Sequence, residues 1–167
     1  GSSGTGAHPG YTVNALMENR HRFLLGLGVE VFRSSASETE GSVKLLDRAH
    51  RRLRYEPKSF GADKGFFSTG LIRTLLDRQI APHIAADPRG RQPEHSRVRM
   101  RVRGVGYALS QRARKKIEEL FGEAKDWHGM RRFRRRRLGR VREEAWLIGW
   151  VLNLKRLAVA LGPPAPA

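Results

Sequence analysis

Between residues 11 and 85 the chain alternates strand-length apolar runs with helix-length amphipathic runs, which restricts it to a layered α/β fold. Residues 11–17 have strand-like composition, residues 18–21 form a polar break, and residues 22–32 are rich in Leu, Val and Phe. Two such runs around a four-residue turn predict an antiparallel hairpin. Residues 37–54 then read as a helix. Ser37 can cap it, and Glu38 and Glu40 sit near the positive end of its dipole. Val43, Leu46 and Ala49 fall at helical spacing, while Arg48, Arg51, Arg52 and Arg54 occupy the other face. A short strand at 58–62, a helix at 67–78 and another strand at 80–85 continue the alternation, which argues for an α/β layer.

The second half is helical and basic. Arginines alternate with Val and Met from Arg97 to Arg103, a period of two that suits an extended ribbon against phosphate, or a solvated loop. Residues 110–126 predict a helix capped by Ser110, with Ile117, Leu120, Phe121 and Ala124 as its core stripe. A last helix spans 138–161, with Trp146 and Trp150 one turn apart, and Pro163-Pro164 stops it. Residues 1–10 read as a flexible lead or tag, 11–161 as the folded unit, and 162–167 as a disordered tail.

Charge narrows the function. Lys and Arg total 33 against 16 Asp and Glu, a net +17, and 26 of the cations are Arg. Arg grips phosphate with a planar fork, so nucleic acid is the favoured partner. With no cysteine, disulfides and thiolate sites are excluded. No apolar run reaches about 18 residues, so no membrane span is expected, nor is a secretory leader. Histidine spacings of zinc sites, the Gly-x-Ser-x-Gly elbow and the Gly-x-x-x-x-Gly-Lys phosphate loop are all missing.

Two carboxylates remain as candidates for chemistry. Asp63 ends a short strand, where α/β sheets place working groups, although Asp-x-Gly is also ordinary turn chemistry. Arg114, Glu118 and Lys125 lie within about 40° on one helical stripe. That stripe is either an i,i+4 salt bridge on a helix flank or a metal ligand bracketed by cations. Carboxylate oxygens suit Mg²⁺, and two such ions can serve phosphodiester chemistry.

The residues Leu16-Met17-Glu18-Asn19-Arg20, Gly61-Ala62-Asp63-Lys64-Gly65-Phe66 and the run from Ser110 to Gly122 resemble bacterial insertion-sequence transposases of the DDE type. Asn153-Leu154-Lys155-Arg156-Leu157 extends the resemblance, which covers nearly the whole chain. It implies the C-terminal part of a catalytic domain with an RNase H-like fold, here partial: hairpin, helix, short strand, then long C-terminal helices. Asp63 and Glu118 match the second catalytic Asp and the catalytic Glu, both ligands of Mg²⁺ or Mn²⁺. Arg114 and Lys125 match residues that contact transposon-end DNA, and Gln111 stands where the family has Tyr.

The same resemblance implies DNA cleavage and strand transfer at transposon ends, in the bacterial cytoplasm at the nucleoid. The family's first catalytic Asp precedes the hairpin, and no Asp occurs here before Asp47. The expectation is therefore a truncated or decayed transposase that binds metal weakly and is inactive alone. The alternative is a non-catalytic basic nucleic-acid-binding protein. The tract Arg131, Arg132, Arg134, Arg135, Arg136 and Arg137 fits DNA in either case. Strand edges exposed by a missing strand also offer a route to a homodimer.

Overall fold

A computed structural model describes residues 10–31, 35–86, 93–102 and 104–162. Strands β1 (Tyr11–Met17) and β2 (Leu24–Val31) form the expected antiparallel hairpin, with a bulge between Leu16 and Met17. Glu18 shapes its turn by accepting backbone N–H groups from Arg20, His21 and Phe23 at 2.8, 2.7 and 3.0 Å. Burial pushes the Glu18 carboxyl up, but these donors and nearby His21 outweigh it and hold the group below its usual value.

Helix α1 (Ser35–Leu53) follows, so Ser37 lies inside its first turn and its side chain is outside the described residues. Strand β3 (Ser59–Ala62), a single 3-10 turn (Lys64–Phe66), helix α2 (Thr69–Asp77) and strand β4 (Ala81–Ile84) then alternate as expected. Strands β3 and β4 pair in parallel. This mixed architecture agrees with a partial RNase H-like α/β fold. Among the described residues the strands form two separate two-stranded sheets, with none of them between β1 and β3.

Neither the extended ribbon nor the solvated loop expected from Arg97 onward is found, and Arg103 lies outside the described residues. Residues 97–102 belong to helix α3 (Pro93–Val102). A period-two run contains i,i+4 pairs, so Val98 and Val102 suit a helix equally well. Burial decides between them: Val98 is fully buried, whereas Met100, which a strand would place on the same face, is 69% exposed.

Helix α4 (Val105–Trp127) begins five residues before its expected cap. Ser110 instead packs on β3, where a Cβ at Gly61 would lie 2.5 Å from its hydroxyl oxygen. Helix α5 (Leu138–Leu161) matches its expected span.

Helix α1 packs on one face of the hairpin through Leu45 beside Gly26 and Gly28, and α4 and α5 cover the other. Leu46, Phe60, Ile72, Leu75, Ile84 and Val98 form one core, while Leu24, Leu27, Leu120, Ala124, Ile148 and Leu152 form a second. Gly149 lets α5 press onto β2, since a Cβ there would sit 2.6 Å from Leu27.

Candidate active site

Asp63 follows β3 directly, exposed at its C-terminal end. Its Oδ1 accepts the Gly65 N–H at 2.9 Å and caps the 3-10 turn. The ordinary turn chemistry is thus present, and the carboxylate is held in place by it. Glu118, on α4, borders the same cavity as Asp63, along with Arg114, Ile117 and Phe121.

The salt bridge read from sequence is also present: Arg114 Nη1 donates to Glu118 at 2.5 Å. Arg114 is itself positioned, because its Nε donates to Gln111 Oε1 at 3.1 Å. Gln111 Nε2 in turn donates to the His83 carbonyl at 3.0 Å and that of Ala62 at 3.5 Å. Gln111 therefore ties Glu118, through Arg114, to the strand ends beside Asp63. In the sequence it stood out only as a mismatch. Glu119 points elsewhere and pairs with Arg22, as its helical phase requires.

Glu118 also borders a second, larger groove of about 1240 Å³. Lys125, Arg131, Arg132 and Arg135 line it, opposite Tyr11 and Val13 of β1. Arg134, Arg136 and Arg137 are exposed but do not line it. Packing shapes this arginine turn. Met130 is buried, Phe133 packs against the core, and the Met130 N–H donates to Ala124 at 3.0 Å. Glu144 on α5 accepts the Arg134 N–H at 3.0 and 3.1 Å and that of Arg135 at 3.0 Å. Nothing in the local sequence links Glu144 to a turn ten residues away. Arg131 is partly neutralised by Asp126 at 2.6 Å.

The strand edges around the site differ in kind. The outer edge of β2 is closed by α5: Arg142 donates to the Val29 carbonyl, Trp146 to that of Leu27, and Asn153 exchanges two hydrogen bonds with Leu24. The outer edge of β4 carries Pro82, which has no N–H to offer.

The outward groups of Leu24, Leu27 and Val29 fix the ladder phase, so their partners Met17, Ala15 and Val13 point their backbone groups away from β2. The Ala81 N–H donates to Lys58 and that of Ala85 to Ala62, so Ser59 and Gly61 likewise face away from β4. These two open edges face one another. One cavity joins the end of β1 to the start of β3, and a second joins the start of β1 to Asp63. The strands thus run antiparallel across the gap. Asp47 faces a different cavity, beside Arg78, His50 and Tyr55.

A cavity lined by two carboxylates lies beside an arginine groove, and the sequence carries a family match as well. Residues 1–154 match the family described as the transposase DDE domain. The chain belongs to this family. No curated protein and no solved structure matches it. Transposases of the family act on DNA and use divalent metal ions. Asp63 and Glu118 offer the hard oxygen donors that Mg²⁺ or Mn²⁺ takes, so they fit such an ion in kind. Among the described residues no group of three or more His, Cys, Asp or Glu gathers as a metal site. No helix among them is long and apolar enough to cross a membrane.

Proposed function

We propose that Asp63 and Glu118 are two of the three metal-holding carboxylates of a DNA transposase that cleaves and joins transposon ends. The observation that carries this reading is the position of Glu118, which borders both the Asp63 cavity and the arginine groove. Phosphates along the groove would engage Lys125, Arg132 and Arg135, while Arg114 keeps Glu118 oriented. A bound Mg²⁺ or Mn²⁺ would supply activation of the attacking oxygen and stabilisation of the leaving one. In cleavage, water forms the new P–O bond as the bond to the 3′ oxygen breaks. In transfer, that 3′-hydroxyl forms a P–O bond to a target phosphate in line as the bond from that phosphorus to the target strand's 3′ oxygen breaks, leaving a target 3′-hydroxyl. Such a protein works at the nucleoid, in the bacterial cytoplasm.

The third carboxylate arrives on an extended segment seated between β1 and β3. Parallel to β3 and antiparallel to β1, it would pair with both open edges and end beside Asp63. Ile117, on the helix's core stripe yet only half-buried, lines both cavities there and would be covered by it. Without that segment the chain holds metal weakly and is inactive.

Calorimetric titration with Mn²⁺ tests this reading. Weak binding is expected that disappears in Asp63→Asn and in Glu118→Gln, with DNA affinity kept in both. Metal binding unchanged by either substitution would overturn it and leave a DNA-binding protein without catalysis.

A further inference from the structure

A groove of about 370 Å³ runs along the closed edge of β2, between α1 and α5. Its walls are apolar: Leu25, the residue skipped at the hairpin bulge, Leu53 of α1, and Trp146 and Trp150 of α5. Leu53, Trp146 and Trp150 stay open to solvent, at 56%, 49% and 72% exposure. The hydrogen bond from Trp146 to the Leu27 carbonyl fixes one indole in place. Arg48 and Arg52 form the rim on the α1 side. Among the described residues no carboxylate lines the groove, and neither guanidinium has an ion pair or hydrogen bond.

We propose that this groove docks an acidic amphipathic helix of another protein. Two unneutralised guanidiniums in a chain of net charge +17 call for an anionic partner. A single strand of nucleic acid would stack on the indoles, but it has no aliphatic groups to set against Leu25 and Leu53. An extended peptide would need free carbonyls on the edge of β2. Those of Leu24, Leu27 and Val29 already accept from Asn153, Trp146 and Arg142. A helix satisfies its own backbone and asks only for side-chain contacts.

Spacing agrees with that occupant. Trp146 and Trp150 stand one turn apart on one wall, and Arg48 and Arg52 one turn apart on the other, about 5–6 Å in each case. An incoming helix with apolar residues at i, i+3, i+4 and i+7 fills the indole side. Glu or Asp one turn apart beside that stripe meets the two arginines. None of the groove residues lines the cavities of Asp63 and Glu118, so the docking stands apart from any metal chemistry there.

The probe is a synthetic peptide of about 20 residues, long enough to be helical alone, with that leucine stripe and glutamates beside it. Trp127, at 81% exposure, lies outside the groove, so Trp127→Phe leaves emission from the two groove indoles alone. Adding the peptide should shift that emission to the blue as the indoles lose water. Arg48→Glu/Arg52→Glu should weaken binding at least tenfold with the circular dichroism spectrum unchanged, and should bind a lysine version of the peptide better than the parent does. Replacing Lys125, Arg132 and Arg135 by Ala should leave the shift intact. No shift, equal binding of a scrambled peptide, or indifference to the charge reversal would overturn the proposal. So would loss of binding in the Lys125, Arg132 and Arg135 variant, which would send the peptide to the arginine groove. An oligothymidylate strand that displaces the peptide from the indoles at equal or lower concentration would overturn it in favour of nucleic acid.

Discussion

The two edges of the β1–β2 hairpin receive opposite treatment. Three side chains of α5 occupy the backbone groups of β2, whereas β1 turns Val13, Ala15 and Met17 toward a groove. An unpaired edge invites pairing, so a protein with one blocked and one open edge directs that pairing to one side. Asp63, Glu118, Lys125 and the groove-facing arginines all lie on the open side. The difference teaches that stability and function are divided between the two edges, with α5 serving both as edge cover and as support for the arginine turn through Glu144.

The largest test of this division is electrostatic. Replacing Lys125, Arg132 and Arg135 by Ala should weaken DNA binding at least tenfold and lower the slope of log affinity against log salt by about 2–3. The same treatment of Arg134, Arg136 and Arg137, which do not line the groove, should do much less. Equal losses in the two triple variants, measured by fluorescence anisotropy, would break the comparison.

Next comes the closed edge. Asn153→Ala removes two hydrogen bonds to Leu24, at 2.8 and 2.9 Å, and should cost about 2 kcal/mol. In a chain of this size thermal unfolding should fall by about 4–8 °C. DNA affinity should hardly change, because the lesion is on the other edge.

A smaller effect concerns pH. Lys155 beside Glu123 holds its carboxyl below the usual value of 4.5, against the opposing effect of burial and with help from Arg156. A lowered folded value means that Glu123 contributes fully above pH 4.5 and loses that contribution as pH falls through the folded value. Thermal melts of Glu123→Gln should therefore lose part of the acid-side dependence seen in the parent. Identical profiles would show that the attachment of α5 to α4 does not depend on this charge.

The finest test reads single amides. Hydrogen exchange should be fast at Val13 and Ala15 and slow at Asn14 and Leu16, which face β2. Uniform protection along β1 would show that its edge is not open.

Much of the fold was legible because apolar periodicity reports which face of an element is buried. The hairpin, α1, β3, α2, β4 and α5 stand where residue pattern placed them. Arg97–Arg103 misled because period two and period four coincide over so short a run, and only the burial of Val98 separates them. The start of α4 was missed because Gly104 caps it without a side-chain hydrogen bond, leaving Ser110 as the more visible signal. Family resemblance singled out Asp63 and Glu118, and the structure brings both to one cavity.

What the sequence determined by itself was the order of elements, the family and the basic character, because these rest on local pattern and composition. Tertiary structure alone decided which arginines face the groove, that Gln111 ties Arg114 to the strand ends, and that Glu144 holds the arginine turn. It also decided which strand edges are closed. Each of these depends on contacts between residues far apart in the chain, from Glu144 to Arg134 and from Asn153 to Leu24, and no local pattern encodes such distances.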